Sequence, residues 1–171
     1  MKFLVALTIF ALFEINPSDS SPARYRRSDQ FVQRFEKLGT LSKRLIPQTE
    51  AVIKLAINKI PTTNAYTKYR QDLQSYLSSV NHYHTKRGGC YEKSFNLIGQ
   101  YASLMERYEK PNALLEAKRV KALLKESGSD NLSRDLDEWI DAYEKSNFDV
   151  ESENLSSSDT KKVMALLQEV C

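Results

Sequence analysis

Residues of the kinds that carry chemistry or make tight turns are few in this chain. Its 171 residues include two cysteines, two histidines, five glycines and five prolines. Scarce glycine and proline argue against an all-β protein, which needs a turn signal about every 8–12 residues. No apolar run reaches the roughly 20 residues that a helix needs to cross a ~30 Å hydrocarbon core. The sequence has no His-Glu-x-x-His pair, no nucleophile elbow, no glycine-rich phosphate loop and no paired carboxylates in an evident cleft. These gaps give the expectation that the protein is not an enzyme and uses no cofactor and no metal. Strong charge of one sign is lacking too. The formal net charge is +3, and it falls to +1 once residues 1–27 are set aside, so nothing points to nucleic acid.

What is present begins at the N-terminus. Met1-Lys2, the apolar run Phe3–Phe13 and the turn formers Asn16-Pro17-Ser18-Asp19-Ser20 have the layout of a secretory signal peptide. The reading is a leader over residues 1–20, a secreted extracellular protein and no membrane span. About 150 residues then remain, a single domain by length, able to bury about two-thirds of its unfolded surface. Arg24-Tyr25-Arg26-Arg27 resembles the Arg-x-Lys/Arg-Arg site of furin-like convertases. Pro22 before it and Ser28-Asp29 after it are expected to keep it extended and exposed. Residues 21–27 are then a short propeptide, or a solvated basic tail, and 28–171 the folded body. Lys86-Arg87, before Gly88-Gly89, reads as an interhelical loop.

Apolar content of 41% and charged content of 27% suit a globular chain. The spacing predicts an all-α fold, an irregular bundle of about six to seven short helices. Phe31, Phe35, Leu38, Leu41/Ser42 and Leu45 define a first helix capped by Ser28 or Asp29, weakened at Gly39 and stopped or kinked at Pro47. Gln48–Ile60 is a second. Tyr66, Tyr69, Leu73, Tyr76, Val80 and Tyr83 alternate steps of three and four along a third, a half-polar seam. A fourth, Tyr91 to Lys110, is apolar on two rows and is the expected central helix. Pro111-Asn112 opens a fifth, with Ala113, Ala117, Val120 and Leu124 on one face. Leu132, Leu136, Trp139, Ile140 and Tyr143 mark a sixth. After a polar linker, Asp159 caps the last.

Cys90 and Cys171, in an oxidising lumen, are expected to form an intramolecular disulfide, with a dimer bridged through Cys171 as the rival. His82 and His84 fall about 200° apart on a helix, wrong for two ligands of one metal, and read as polar residues at a helix end. Asp130 as the first ligand of a calcium loop fails, because Leu132 holds the third position and no central glycine follows. Asp135, Asp137, Glu138 and Asp141 read as a solvated face, as do Lys118, Arg119, Lys121 and Lys125. Asn131-Leu132-Ser133 and Asn154-Leu155-Ser156 are N-glycosylation sequons.

Two functions fit. One is an extracellular interaction protein, cytokine-like or a secreted effector, monomeric and binding an unidentified extracellular protein. The other is a carrier of a small apolar ligand such as a fatty acid or sterol. Seven of the nine tyrosines lie between Tyr66 and Tyr108 and would wall a cavity lined by Tyr69, Tyr76, Ile98, Tyr101 and Met105. A packed core with an exposed apolar or aromatic patch favours the first; a closed cavity favours the second.

Overall fold

The computed structural model describes residues 22–86, 90–145 and 157–167. The leader (1–20), Asn154, Cys171 and most of the 146–157 linker lie outside the described residues. Within them the chain is all-α: six helices, two short 3-10 turns and no strand. They are α1 (Pro22–Ile57), α2 (Thr67–Thr85), α3 (Cys90–Glu109), α4 (Leu115–Glu126), α5 (Ser133–Lys145) and α6 (Ser157–Leu167). A 3-10 turn precedes α2 (Asn64–Tyr66) and another precedes α5 (Ser129–Leu132).

The largest departure from expectation is α1, a single helix of 36 residues with Pro47 inside it. Proline has no N–H to donate to the carbonyl four residues back, and it costs about 3 kcal/mol in a helix interior. Here it sits on the exposed side. On the opposite side Phe35, Leu38, Ser42, Leu45, Thr49, Val52 and Ala56 are all buried and run in unbroken steps of three and four. Breaking the helix would throw that row out of phase. Leu45, Ile46, Val52 and Ile53 alone represent on the order of 6–12 kcal/mol of gross burial, at 1.5–3 kcal/mol each. Packing wins. The same continuity makes α1 the hub, touching all five other helices, whereas α3 packs on α1, α2, α4 and α6. The central helix is therefore α1 and not the expected fourth segment.

Gly39 also changes meaning. The Tyr91 ring lies directly against it, so a Cβ at this position would overlap the ring. Glycine here trades some helix propensity for close approach of α3. The α1 row has two polar members, Ser42 and Thr49, one heptad apart and fully buried. Each meets the polar tip of an aromatic from a different helix. Trp139 Nε1 of α5 donates to Ser42 Oγ at 2.8 Å. Tyr76 Oη of α2 lies 2.6 Å from Thr49 Oγ1, which itself donates to the Ile46 carbonyl at 2.9 Å. Buried polar groups satisfied in this way fix how each helix is rotated about its axis.

Helix α5 runs antiparallel to α1, joined to it by charge. Arg34 donates to the Lys145 carbonyl at the α5 C-terminus (3.0 Å). Lys37 meets Glu138 at 2.7 Å and Arg44 meets Asp135 at 2.9 Å. The acidic row of α5 is thus not the simple solvated face expected from sequence, since two of its members face α1 cations. The Lys37 ammonium also holds the Glu138 carboxyl below its ordinary range. At the other end of α1, Arg70 of α2 caps the chain by donating to the carbonyls of Ile57 (3.3 Å) and Ile60 (2.9 Å).

Candidate functional site

Aromatic residues gather in two places. Between α1, α3 and α5, Phe35 stacks on Tyr91 (ring centroids 5.5 Å, 10° between planes), Phe95 meets Trp139 edge-on at 6.2 Å, and Trp139 stacks on Tyr143 at 5.0 Å. Lys43 Nζ lies 5.9 Å over the Tyr91 ring. Phe35, Tyr91 and Trp139 are buried, with Phe95 and Tyr143 half-buried against the core.

The second group lies where α2, α3 and the start of α4 meet. Tyr66, Tyr69 and Tyr108 form a chain of tilted and edge-on rings at 6.4 and 5.6 Å. Tyr108 Oη donates to Asp72 Oδ2 at 3.4 Å, and Arg107 reaches the same oxygen at 3.7 Å. Beside them is an open groove of about 250 Å³, lined among others by Lys68, Tyr69, Asp72, Tyr108 and Leu114. Leu114, which lines it, is 68% exposed, and the next residue in the chain, Leu115, is 79% exposed. The reason is local. Ala113, Ala117, Val120 and Leu124 set the inward face of this segment, and α4 begins only at Leu115, so the two leucines fall off that face.

Burial raises the pKa of the phenols, making them weaker acids. Tyr108 is pushed up first by burial and then by Asp72, and Tyr69 is raised by burial, Glu116 and Asp72. Tyr76 is pushed up to about 12, with burial the main cause and the Thr49 contact opposing it. Tyr101 is raised by burial, then by Tyr76 and Asp130. All four remain protonated near neutral pH. Tyr108 donates to Asp72 and Tyr76 shares a hydrogen bond with Thr49, whereas the buried Tyr101 hydroxyl has no hydrogen-bond partner among the described residues.

The five residues expected to wall a ligand cavity are placed as follows. Tyr76, Ile98 and Tyr101 are fully buried and Met105 is half-buried against the same core. Tyr76 and Tyr101 touch each other, rings 6.0 Å apart. Tyr69 is on the surface groove with Tyr108. The two best-formed depressions are both open. The other, of about 310 Å³, lies between Lys43, Ile46, Pro47, Tyr83 and His84. Only Tyr69 of the five borders either.

Other expected sites resolve individually. Arg24, Arg26 and Arg27 lie in the first turns of α1, so their backbone is helical and not the extended segment expected. Helix continuity from the buried row overrides the turn signals on both sides. His82 and His84 sit in the last turn of α2, and His84 Nε2 is 3.6 Å from Glu50. No cluster of three or more metal-binding side chains occurs among the described residues. Cys90 is buried at the start of α3, and no cysteine among the described residues is a free thiol. Asn131 is exposed in the turn before α5. The basic group on α4 is largely paired, Lys121 with Glu109 (2.6 Å), Lys125 with Asp130 (3.3 Å) and Arg119 with Glu126 (4.0 Å). The exposed Leu114-Leu115 pair was not among the expected sites. Its signal was present, as two large apolar residues adjacent in sequence but off the periodic face.

The fold and this corner define an all-helical bundle with a buried apolar core and a partly apolar surface groove. No helix among the described residues is long and apolar enough to cross a membrane. Comparison with known proteins finds no matching family model, no matching curated protein and no matching solved structure.

Proposed function

We propose that this chain is a secreted extracellular helical protein that acts by binding another protein, as a cytokine-like factor or effector, through the corner of α2, α3 and α4. The observation that carries the reading is the exposed Leu114-Leu115 pair beside a groove floored by Tyr69 and Tyr108. Exposed large apolar residues grouped beside aromatics, with charged residues at the rim, are the composition of an interaction surface. Lys68 and Arg107 supply that rim. The leader-like residues 1–20 support export. In that compartment Cys90 pairs with Cys171, and closing a loop of about 80 residues contributes on the order of 4 kcal/mol. The sequons would carry glycans, and Arg27 is the processing site if the first turns of α1 unwind for a convertase. A carrier of a small apolar ligand is the weaker reading, because Tyr76, Ile98 and Tyr101 are buried core members and border neither of the two open depressions described above.

The test is a secreted chain carrying a photoreactive phenylalanine analogue in place of Leu115, irradiated on intact cells. It is expected to cross-link a surface protein in a saturable way, competed by the unmodified chain but not by a Leu114→Glu/Leu115→Glu variant. Binding that the double variant competes equally well would refute the corner as the contact.

A further inference from the structure

The turn between α4 and α5 carries an exposed asparagine, Asn131, whose Nδ2 lies beside Gly128. Gly128 takes a left-handed φ of 105°, and the Asn131 backbone N–H donates to its carbonyl at 3.1 Å. Ser129 and Leu132 are buried on either side, while Asp130 and Asn131 are exposed. The turn is pinned at two residues and projects the two between them. Two residues beyond Asn131, Ser133 starts α5 and donates its hydroxyl to the Asp130 carbonyl at 2.5 Å. An exposed asparagine in a turn, followed at the second position by serine, is the geometry of an N-glycan acceptor.

We infer that Asn131 carries an N-linked glycan, an inference that rests on the reading of this chain as exported. An oligosaccharide joined to a lipid pyrophosphate is the donor. A bond forms between Asn131 Nδ2 and the anomeric carbon of the first sugar, the carbon–oxygen bond to the pyrophosphate breaks, and Nδ2 gives up one proton. The lipid pyrophosphate leaves with the bonding electrons. The placement has a consequence for binding. The twelve residues of α4 separate Asn131 from Leu114-Leu115 by about 18 Å at 1.5 Å per residue. The glycan therefore sits at the α4–α5 end of the bundle, one α4 length from the leucine corner.

The experiment uses the full chain with its own leader, expressed in a eukaryotic secretory cell in an Asn154→Gln background, so that any glycan reports on Asn131. Enzymatic deglycosylation in heavy-oxygen water should convert Asn131 to a labelled aspartate seen by peptide mass spectrometry. The electrophoretic shift should disappear in Asn131→Gln and in Ser133→Ala and persist in Ser133→Thr. Secreted protein with unmodified Asn131 would overturn the inference. A parallel chain bearing an unrelated signal peptide separates the two layers. Asn131 occupied there, but with no export by the native leader, upholds the acceptor site and sinks the secretion reading.

Discussion

The two aromatic groups are made from the same residue types and do different things. At the α1–α3–α5 junction, Phe35, Tyr91, Phe95, Trp139 and Tyr143 close on one another, and the indole N–H has a buried partner in Ser42. At the α2–α3–α4 corner, Tyr66 and Tyr69 are half-buried, the hydroxyl of Tyr108 reaches a carboxylate at the surface, and two leucines stand in water. An aromatic cluster becomes structural when most of its apolar faces and polar tips find protein partners. It becomes a surface for something else when one side is left uncovered. The difference is one of coverage, and composition does not reveal it.

The comparison breaks most visibly at the closed cluster. Trp139→Ala should cost about 3–5 kcal/mol, read from urea unfolding, because it removes a fully buried indole and orphans Ser42. Tolerance of that change with a loss under about 1 kcal/mol would mean the junction is loosely packed. The second test is alkaline unfolding. Tyr76 (pushed up to about 12), Tyr101 and Tyr108 have raised values in the folded state, mainly through burial. Their contribution is complete below the ordinary value of 10 and is lost as pH rises toward the folded values. Each phenol then removes about 1.4 kcal/mol per pH unit. Stability should hold to about pH 10 and fall steeply above it, with Tyr76→Phe/Tyr101→Phe flattening the fall.

Gly39→Ala sharpens the contrast by sign. Helix propensity alone favours alanine by about 0.8–1 kcal/mol. Overlap with the Tyr91 ring should reverse that and destabilise by about 1–3 kcal/mol. Thr49→Val should cost a similar 1–3 kcal/mol, roughly, by leaving Tyr76 Oη buried without its partner. Adding Tyr76→Phe should recover much of the loss, giving a positive coupling in a double-mutant cycle. The smallest expected effect is at the corner. Leu114→Glu with Leu115→Glu should change stability by no more than about 0.5 kcal/mol while abolishing partner binding.

Much of the fold was legible in the sequence, and the misses have physical causes. The α2 seam is clear because Tyr66, Tyr69, Leu73, Tyr76, Val80 and Tyr83 never break step, with Leu73, Tyr76 and Val80 buried and the tyrosines on either side of them half-buried. Helix α1 was split in two because Pro47 is the strongest local stop signal in the chain. Ser42 and Thr49, polar members of the buried row, also interrupted its apolar periodicity. Their partners, Trp139 and Tyr76, are distant in sequence, and nothing local shows that a polar residue will be satisfied from another helix. Gly39 read as a weakness for the same reason, since the ring that needs the space belongs to Tyr91. The acidic residues of α5 read as solvated because Lys37 and Arg44 lie some hundred residues away. Leu114 and Leu115 lie outside the periodic face of α4, so the spacing that marks its buried side does not mark the corner.

Native mass spectrometry of the secreted, folded chain tests most directly whether this molecule works by its surface. The account predicts one protein mass with the leader absent, two hydrogens missing for a Cys90–Cys171 bond, glycan mass added, and no small apolar molecule retained. A tightly held fatty acid or sterol surviving in that spectrum would contradict it, because the account places binding on the surface corner and not in the core.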